Sequence, residues 1–276
     1  MKFKVPATSA NLGLGFDCMG LALELYDYFE IEKAERWELL GFYGSISIDE
    51  NLFVTAYRKA SEYKGYKEDP LKVILEDDIP ISRGLGSSAA LIVGGIYAFN
   101  IKHDNVLSRG EMLQIATEIE GHPDNVAPAI YGGLCVVKDD HLLRIDVDER
   151  WNFGIWIIDE KVSTSEARKV VPFEYSRDDV INNVSCVVLS IDALKNFNTD
   201  NISLIMEDRI HEPFRKKLIP GFEKRKEYAL SIGAKAFIIS GSGSTCLSIS
   251  DKSLDVQLKD VVYKEVKVNK EGVINV

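Results

Sequence analysis

Residues 80–90 read Pro80-Ile81-Ser82-Arg83-Gly84-Leu85-Gly86-Ser87-Ser88-Ala89-Ala90. The run Val73-Ile74-Leu75 and the acids Glu76, Asp77 and Asp78 precede it, and a long apolar run to Asn100 follows. That context spells strand, tight loop, helix. Gly84 and Gly86 let the backbone turn sharply and come close to a ligand, since neither carries a Cβ. Ser87 or Ser88 is a good N-cap for the helix, whose first N–H groups and positive dipole end would face the loop. Such a helix start suits phosphate. No lysine follows the second glycine, which excludes a Walker A loop, and Ala89 stands where the dinucleotide fingerprint has its third glycine. Taken alone, the stretch also fits a Gly-Ser turn ahead of a buried helix, so the other glycine-rich segments carry the decision.

The 276 residues suffice for one large domain or two ordinary ones, and contents of 46% hydrophobic and 28% charged are those of a soluble globular protein. A net charge of −10 speaks against a nucleic-acid-binding surface, which needs basic patches. No apolar run approaches the ~18 residues of a membrane span. Met1-Lys2-Phe3-Lys4 leads into no signal-peptide apolar region. A cytoplasmic protein without membrane contact is expected. Cys18, Cys135, Cys186 and Cys246 are far apart and form no C-x-x-C pair, which points to reduced, mostly buried thiols.

Outward from the central stretch, Lys2 to Val5 reads as a strand ended by Pro6. A small-residue loop follows to Asp17 and carries Asn11. Leu21, Leu23 and Leu25 alternate with Ala22 and Glu24, and Phe29 to Glu32 continue a half-buried strand. Asn51 caps a helix with Leu52, Phe53, Ala56, Tyr57 and Ala60 on one face, ended by Gly65. Ser108 and Glu111 form a capping box for a helix stopped at Gly121, just after Glu118 and Glu120. There the chain reads Glu120-Gly121-His122-Pro123-Asp124-Asn125-Val126-Ala127-Pro128, then Gly132-Gly133 and a strand from Leu134 to Val137.

Phe153 to Ile158 is a near-continuous apolar strand, and a domain boundary falls just before it, near residue 150. Ser163-Thr164-Ser165-Glu166 is a second capping box, opening a short helix that holds Arg168. Ser176 caps a long helix with Val180, Ile181, Val184, Val187, Val188, Ile191 and Leu194 as its apolar stripe. Residues 201–232 continue helical, interrupted at Pro213 and Pro220-Gly221 and ended by Gly233. A strand from Ala236 to Ile239, the loop Ser240-Gly241-Ser242-Gly243-Ser244-Thr245, a strand from Cys246 to Ile249, a helix near 252–262 and a strand near 264–268 follow. The fold class is α+β.

Three glycine-rich loops, near 11–17, 80–90 and 240–245, each joining regular elements, resemble the GHMP kinases, the superfamily of galactokinase, homoserine, mevalonate and phosphomevalonate kinases. Within it the match is closest to the homoserine kinases. It rests on Val5 to Gly13 with Gly15-Phe16-Asp17, on Gly84 to Ala90, and on the segment Glu120 to Pro128. Ser163-Thr164 with Glu166-Ala167-Arg168, Arg215 ahead of Ile219-Pro220-Gly221, and Ser240 to Gly243 complete it, in the family's order. Leu14 and Ser244 stand where proline is common, and Arg83 is a large residue for its loop, expected to face solvent. The resemblance implies a two-domain fold. Residues 1–150 would form a ribosomal S5 domain 2-like N-terminal domain holding ATP, and 151–276 a ferredoxin-like C-terminal domain contributing to the substrate pocket.

The same resemblance implies roles. Residues Pro80, Ile81, Ser82, Arg83, Gly84, Leu85, Gly86, Ser87, Ser88, Ala89 and Ala90 would cradle the phosphates of ATP. Ser88 (or Ser87) with Glu120 would hold Mg²⁺, with Glu118 as the competing carboxylate. The substrate implied is L-homoserine, phosphorylated on its side-chain hydroxyl in threonine biosynthesis. Arg168 and Arg215 would bind its carboxylate. Asn11, Asp17, His122 and Asp124 would receive its ammonium and hydroxyl, with Thr164 and Gly241 at the same pocket. Sugar and mevalonate kinases carry an Asp base in the segment matching 122–126, where Asn125 fits the homoserine kinase pattern. No dedicated base is therefore expected, with Asp17 or Asp124 orienting the hydroxyl. A homodimer is compatible with the sequence. The rival readings are another small-molecule kinase of the superfamily (mevalonate, shikimate or sugar), a non-catalytic ligand-binding regulator, and an RNA-binding S5-like module disfavoured by the acidic charge.

Overall fold

The computed structural model describes residues 1–42, 47–160 and 162–276. Two sheets are drawn from either side of residue 150. The first half supplies β1 (Lys2–Ala10), β2 (Met19–Lys33), β3 (Glu38–Leu40), α1 (Leu52–Lys64), β4 (Leu71–Asp77), α2 (Ser87–Lys102), α3 (Arg109–Glu120), α4 (Val126–Tyr131), β5 (Leu134–Lys138) and β6 (His141–Ile145). The second supplies β7 (Asn152–Ile158), α5 (Thr164–Lys169), α6 (Arg177–Asn196), α7 (Glu212–Arg215), α8 (Phe222–Ser231), β8 (Ala236–Ile239), β9 (Cys246–Ser250) and β10 (Val261–Val266). The last strand, β11 (Ile274–Asn275), returns to pair with β1.

The first sheet runs β11-β1-β2-β4-β3, with β5 on the early residues of β2 and β6 beyond it. Its organiser is the 15-residue β2, whose Met19–Leu21 bond β5 and whose Asp27–Lys33 bond β4. Pro6 does not end β1. The strand continues to Ala10 past a register shift between Pro6 and Ala7, an irregularity that tolerates the missing N–H. The expected caps form: Asn51 Oδ1 accepts from Phe53 N, and both Ser108–Glu111 and Ser163–Glu166 close as capping boxes. Helix α2 is buried on most sides because its neighbours come so close. A Cβ on Gly95 would lie 2.1 Å from the Phe53 carbonyl oxygen.

The second sheet is antiparallel throughout, in the order β10-β7-β9-β8. No helix occupies 252–262. Leu254 is buried and Val256 and Leu258 pack against the smaller core around Trp156 and Phe237, and this two-residue spacing belongs to extended chain rather than helix. Pro213 sits in the first turn of α7, where its missing N–H costs nothing, so it opens that helix instead of interrupting one. The apolar stripe of α6 is largely turned outward. Val187 and Ile191 lean on the core and Leu194 is buried, but Val180, Ile181, Val184, Val188 and Leu189 are 42–63% exposed. The buried face carries Asn183, Cys186, Ser190 and Ala193. It is polar because it holds the segment leading into α7: Asn183 Nδ2 donates to Asp208 Oδ1 at 2.7 Å, and Arg209 N donates to Asn183 Oδ1 at 2.9 Å. All four cysteines are free, three buried and Cys18 partly so. No helix of the described residues is long and apolar enough to cross a membrane.

Candidate active site

The three glycine-rich segments meet in one cleft of about 420 Å³. Direct bonds staple them together. Asn11 Nδ2 donates to the Gly241 carbonyl at 3.0 Å, Gly241 N donates to Ala10 O at 3.1 Å, and Ser240 Oγ donates to Gly84 O at 2.6 Å. The glycines serve this contact between loops. A Cβ on Gly84 (φ +75°) would lie 2.2 Å from Ser240 O, and one on Gly86 (φ +72°) would lie 2.0 Å from Thr8 Oγ1. Arg83 does not face solvent; it donates to Glu160 O and Asp159 Oδ1, both at 2.7 Å, and ties the loop to the second half of the chain.

At the end expected to take phosphate, the N-cap of α2 is Gly86 and not a serine. Its left-handed backbone places Ser87 and Ser88 inside the first turn, and no side chain caps the helix, so first-turn N–H groups face the cleft. Ser88 Oγ donates to Glu120 Oε2 at 2.9 Å. Burial pushes the Glu120 carboxyl up, against the pull of Ser88 and the more distant His122. This carboxylate has a hydroxyl for company and, among the described residues, no lysine or arginine in contact. Glu118 is exposed and accepts from Gln114, away from the cleft.

The far end is rich in charge. Arg168 donates in bidentate fashion to Asp17, Nη1 to Oδ2 at 2.7 Å and Nη2 to Oδ1 at 2.9 Å, and this bond raises the arginine's pKa. Asp17 itself is held by its backbone N–H, which donates to Asn11 Oδ1 at 3.0 Å. Arg215 is buried, with Nε on Ala167 O at 3.2 Å, Nη1 on Gly241 O at 3.1 Å and its guanidinium 4.8 Å from the Phe16 ring centre. Its pKa is lowered by that burial, and among the described residues no carboxylate pairs with it directly. His122 Nδ1 lies 2.5 Å from Asp124 Oδ1, and the bond raises the imidazole pKa. Asn125 Oδ1 accepts from Thr8 Oγ1 at 2.8 Å. Thr164 is exposed on the cleft wall at the start of α5.

All of the expected site residues except Pro80, Ala89 and Ala90 line this cleft. Those three flank the loop: Pro80 leads into it, and Ala89 and Ala90 are buried within α2.

Residues 51–133 match the family described as GHMP kinases N terminal domain, and residues 190–268 match GHMP kinases C terminal. The chain is 42% identical over 269 residues to the homoserine kinase of Clostridium acetobutylicum, across 92% of this chain and 88% of that one. It belongs to the GHMP kinase family. A crystal structure of the homoserine kinase from Cytophaga hutchinsonii superposes with a TM-score of 0.88 at 28% identity, covering 100% of this chain and 97% of that one. The mevalonate kinase of Methanococcus jannaschii shares the fold, with a TM-score of 0.73 at 18% identity over 97% and 98% of the two chains.

In this GHMP kinase the cleft also has an apolar end that the motifs do not mark, lined by Phe42, Leu52, Leu75 and Ile79 with Asp27 and Asn51. Asp27 is buried, and its Oδ1 accepts from Asp78 N and Ile79 N at 3.1 and 3.0 Å, anchoring the start of the phosphate loop; burial pushes its carboxyl up to about 7. A signal for it existed. Asp27 has the inward parity of Leu21, Leu23, Leu25, Phe29 and Ile31 in β2, where an acid is out of place.

Proposed function

We propose that this chain transfers the terminal phosphoryl group of ATP to the side-chain hydroxyl of L-homoserine. One observation carries the reading: the Asp17–Arg168 pair stands beside Arg215, a buried cation that, among the described residues, donates to carbonyls and pairs with no carboxylate. A zwitterionic amino alcohol answers both features. Its carboxylate would take Arg215 and Arg168, and its ammonium would take the Asp17 carboxylate so released. A neutral sugar leaves Arg215 unpaired.

At the phosphate end, the uncapped start of α2 and the loop backbone would hold ATP, with the nucleobase on the apolar wall of Phe42, Leu52 and Ile79. Glu120 fits Mg²⁺, because it is a carboxylate short of positive charge with a hydroxyl oxygen 2.9 Å away. No three His, Cys, Asp or Glu side chains gather to hold a metal among the described residues, so the other ligands of an ion at Ser88 and Glu120 would be phosphate oxygens and water, as Mg²⁺ prefers. When bound, the ion offsets charge on the phosphate oxygens.

In this reading no side chain is a dedicated base. Asp17 or Asp124 orients the hydroxyl, His122 steadies Asp124, and Asn125, its oxygen held by Thr8, lines the same cleft. The two halves, 1–150 and 151–276, act as domains with the cleft between them, and ATP and a free amino acid as substrates place the reaction in the cytoplasm. The test is ADP release measured with L-homoserine, mevalonate, shikimate and galactose in turn. L-homoserine is expected to give the highest kcat/KM, and a faster reaction with galactose rejects the assignment.

A further inference from the structure

Two residues that do not line the cleft set the geometry of its charged end. We infer that His211 and Phe16 are positioning residues for the substrate: His211 fixes the loop that carries Asp17 by donating to the Gly13 carbonyl, and Phe16 is the ring on which the Arg215 guanidinium rests. The inference rests on the reading that Arg215 and Arg168 take the substrate carboxylate. The loop needs such support. Asn11, Leu12 and Asp17 have φ of +70°, +43° and +59°, a region that side chains rarely adopt, so contacts from outside the loop must hold it. When Arg168 turns from Asp17 to a ligand, the loop gives up its bidentate tie at that point.

His211 is fully buried one turn ahead of Arg215, whose N–H donates to the His211 carbonyl at 3.0 Å. Asp208 fixes the backbone there, its Oδ2 accepting from His211 N at 2.8 Å and from Glu212 N at 2.6 Å. The imidazole Nε2 lies 2.7 Å from Gly13 O, which can only accept, so Nε2 carries the proton. Burial lowers the pKa of the ring and keeps it neutral, which leaves Nδ1 a bare lone pair. Among the described residues Nδ1 is buried without a partner. An apolar side chain would fill this space without that orphaned atom, so packing alone does not account for a histidine. The donation to Gly13 does. The Phe16 ring stacks on the imidazole, with centres 5.2 Å apart and planes 25° from parallel. Its centre is 4.8 Å from the Arg215 guanidinium and 5.8 Å from that of Arg168. The two side chains therefore act through Asp17 and Arg215.

The first test needs no substrate. Long-range proton–nitrogen spectra of the protein labelled at histidine nitrogen, with the His211 signals assigned by their loss in His211→Gln, should show the neutral Nε2–H tautomer at neutral pH. An Nδ1–H tautomer or a charged ring overturns the proposal. The second test compares His211→Gln, whose amide keeps a donor near the Nε2 position, with His211→Phe, which keeps a ring and loses the donor. His211→Phe should lower kcat/KM for L-homoserine about tenfold and leave the KM for ATP unchanged, and His211→Gln should recover most of the loss. Thermal melts report folding, and His211→Leu replaces His211→Phe if the latter does not fold. In the third test, Phe16→Leu should lower kcat/KM about tenfold in the wild type but less than about twofold in Arg215→Ala, where the guanidinium it supports is gone. Equal losses in the two backgrounds, a glutamine variant no better than the apolar one, or a KM for ATP that rises in step overturns the proposal. A wild type that prefers galactose rejects the homoserine assignment alone, because the imidazole spectrum and the same comparisons on the preferred acceptor still decide the roles of His211 and Phe16.

Discussion

The two ends of the cleft follow opposite electrostatic rules. At the end proposed for phosphate, charge and donors stand without counterparts among the described residues: the start of α2 has no cap, and Glu120 has no cation in contact. At the far end, Asp17 is bound to Arg168 and Asp124 to His122, while the Arg215 guanidinium is held by the Ala167 and Gly241 carbonyls. The phosphate end therefore gains partners when it fills, whereas the far end must exchange partners. An exchange penalises a ligand that cannot replace both halves of the broken pair, so in the proposed function specificity belongs to the charged end and phosphate binding to the backbone. The stapling of Gly84, Gly241 and Asn11 keeps the two ends in fixed relation.

The largest effect that separates the two ends is expected from Glu120→Gln. It removes the carboxylate that accepts from Ser88 and should lower kcat by about three orders of magnitude while nucleotide still binds without metal. Near-normal turnover at saturating Mg²⁺ would move the ion elsewhere. Next come the exchange partners. Arg215→Ala should lower kcat/KM for L-homoserine about ten- to a hundredfold, since each charge-assisted contact in a partly dry cleft is worth roughly 1.5–3 kcal/mol. Arg168→Lys should also be poor because an ammonium lacks the planar fork that grips Asp17. If kcat/KM is unchanged in both, the exchange is not the basis of selection.

The smallest effect concerns stability. Asp27 keeps its proton in the folded chain until about pH 7, whereas the unfolded chain loses it near the ordinary carboxyl value of 3.8. Between those values the folded state binds more protons, so stability falls as pH rises. Asp27→Asn should flatten that decline by roughly 1–3 kcal/mol. Glu212, also pushed up to about 7 by burial, accounts for slope that remains. Chemical denaturation of both proteins from pH 4 to 8 measures it, and identical slopes would show that Asp27 is already ionised when folded.

Local chemistry was legible in the chain. Asn51, Ser108 and Ser163 cap helices because a short polar side chain ahead of an apolar period can reach only the N–H groups next to it. The glycine loops, the carboxylate at the end of α3 and the two arginines were marked by residue type and order, and the family followed from them. The features misread from the chain were those a distant neighbour controls. Gly86 caps α2 in place of a serine because the loop lies against Thr8. Arg83 points inward because Asp159 and Glu160 happen to be opposite it. The stripe of α6 faces outward because Asn183 is needed by Asp208 and Arg209. The residues of 254–258 run extended because the smaller core accepts every second one. Periodicity and capping act over one or two turns, within reach of the residues themselves, so sequence alone determines them. Which face is buried, and which charges find each other across a hundred residues of chain, depends on contacts that exist only after folding, and those decided the pairing of Asp17 with Arg168.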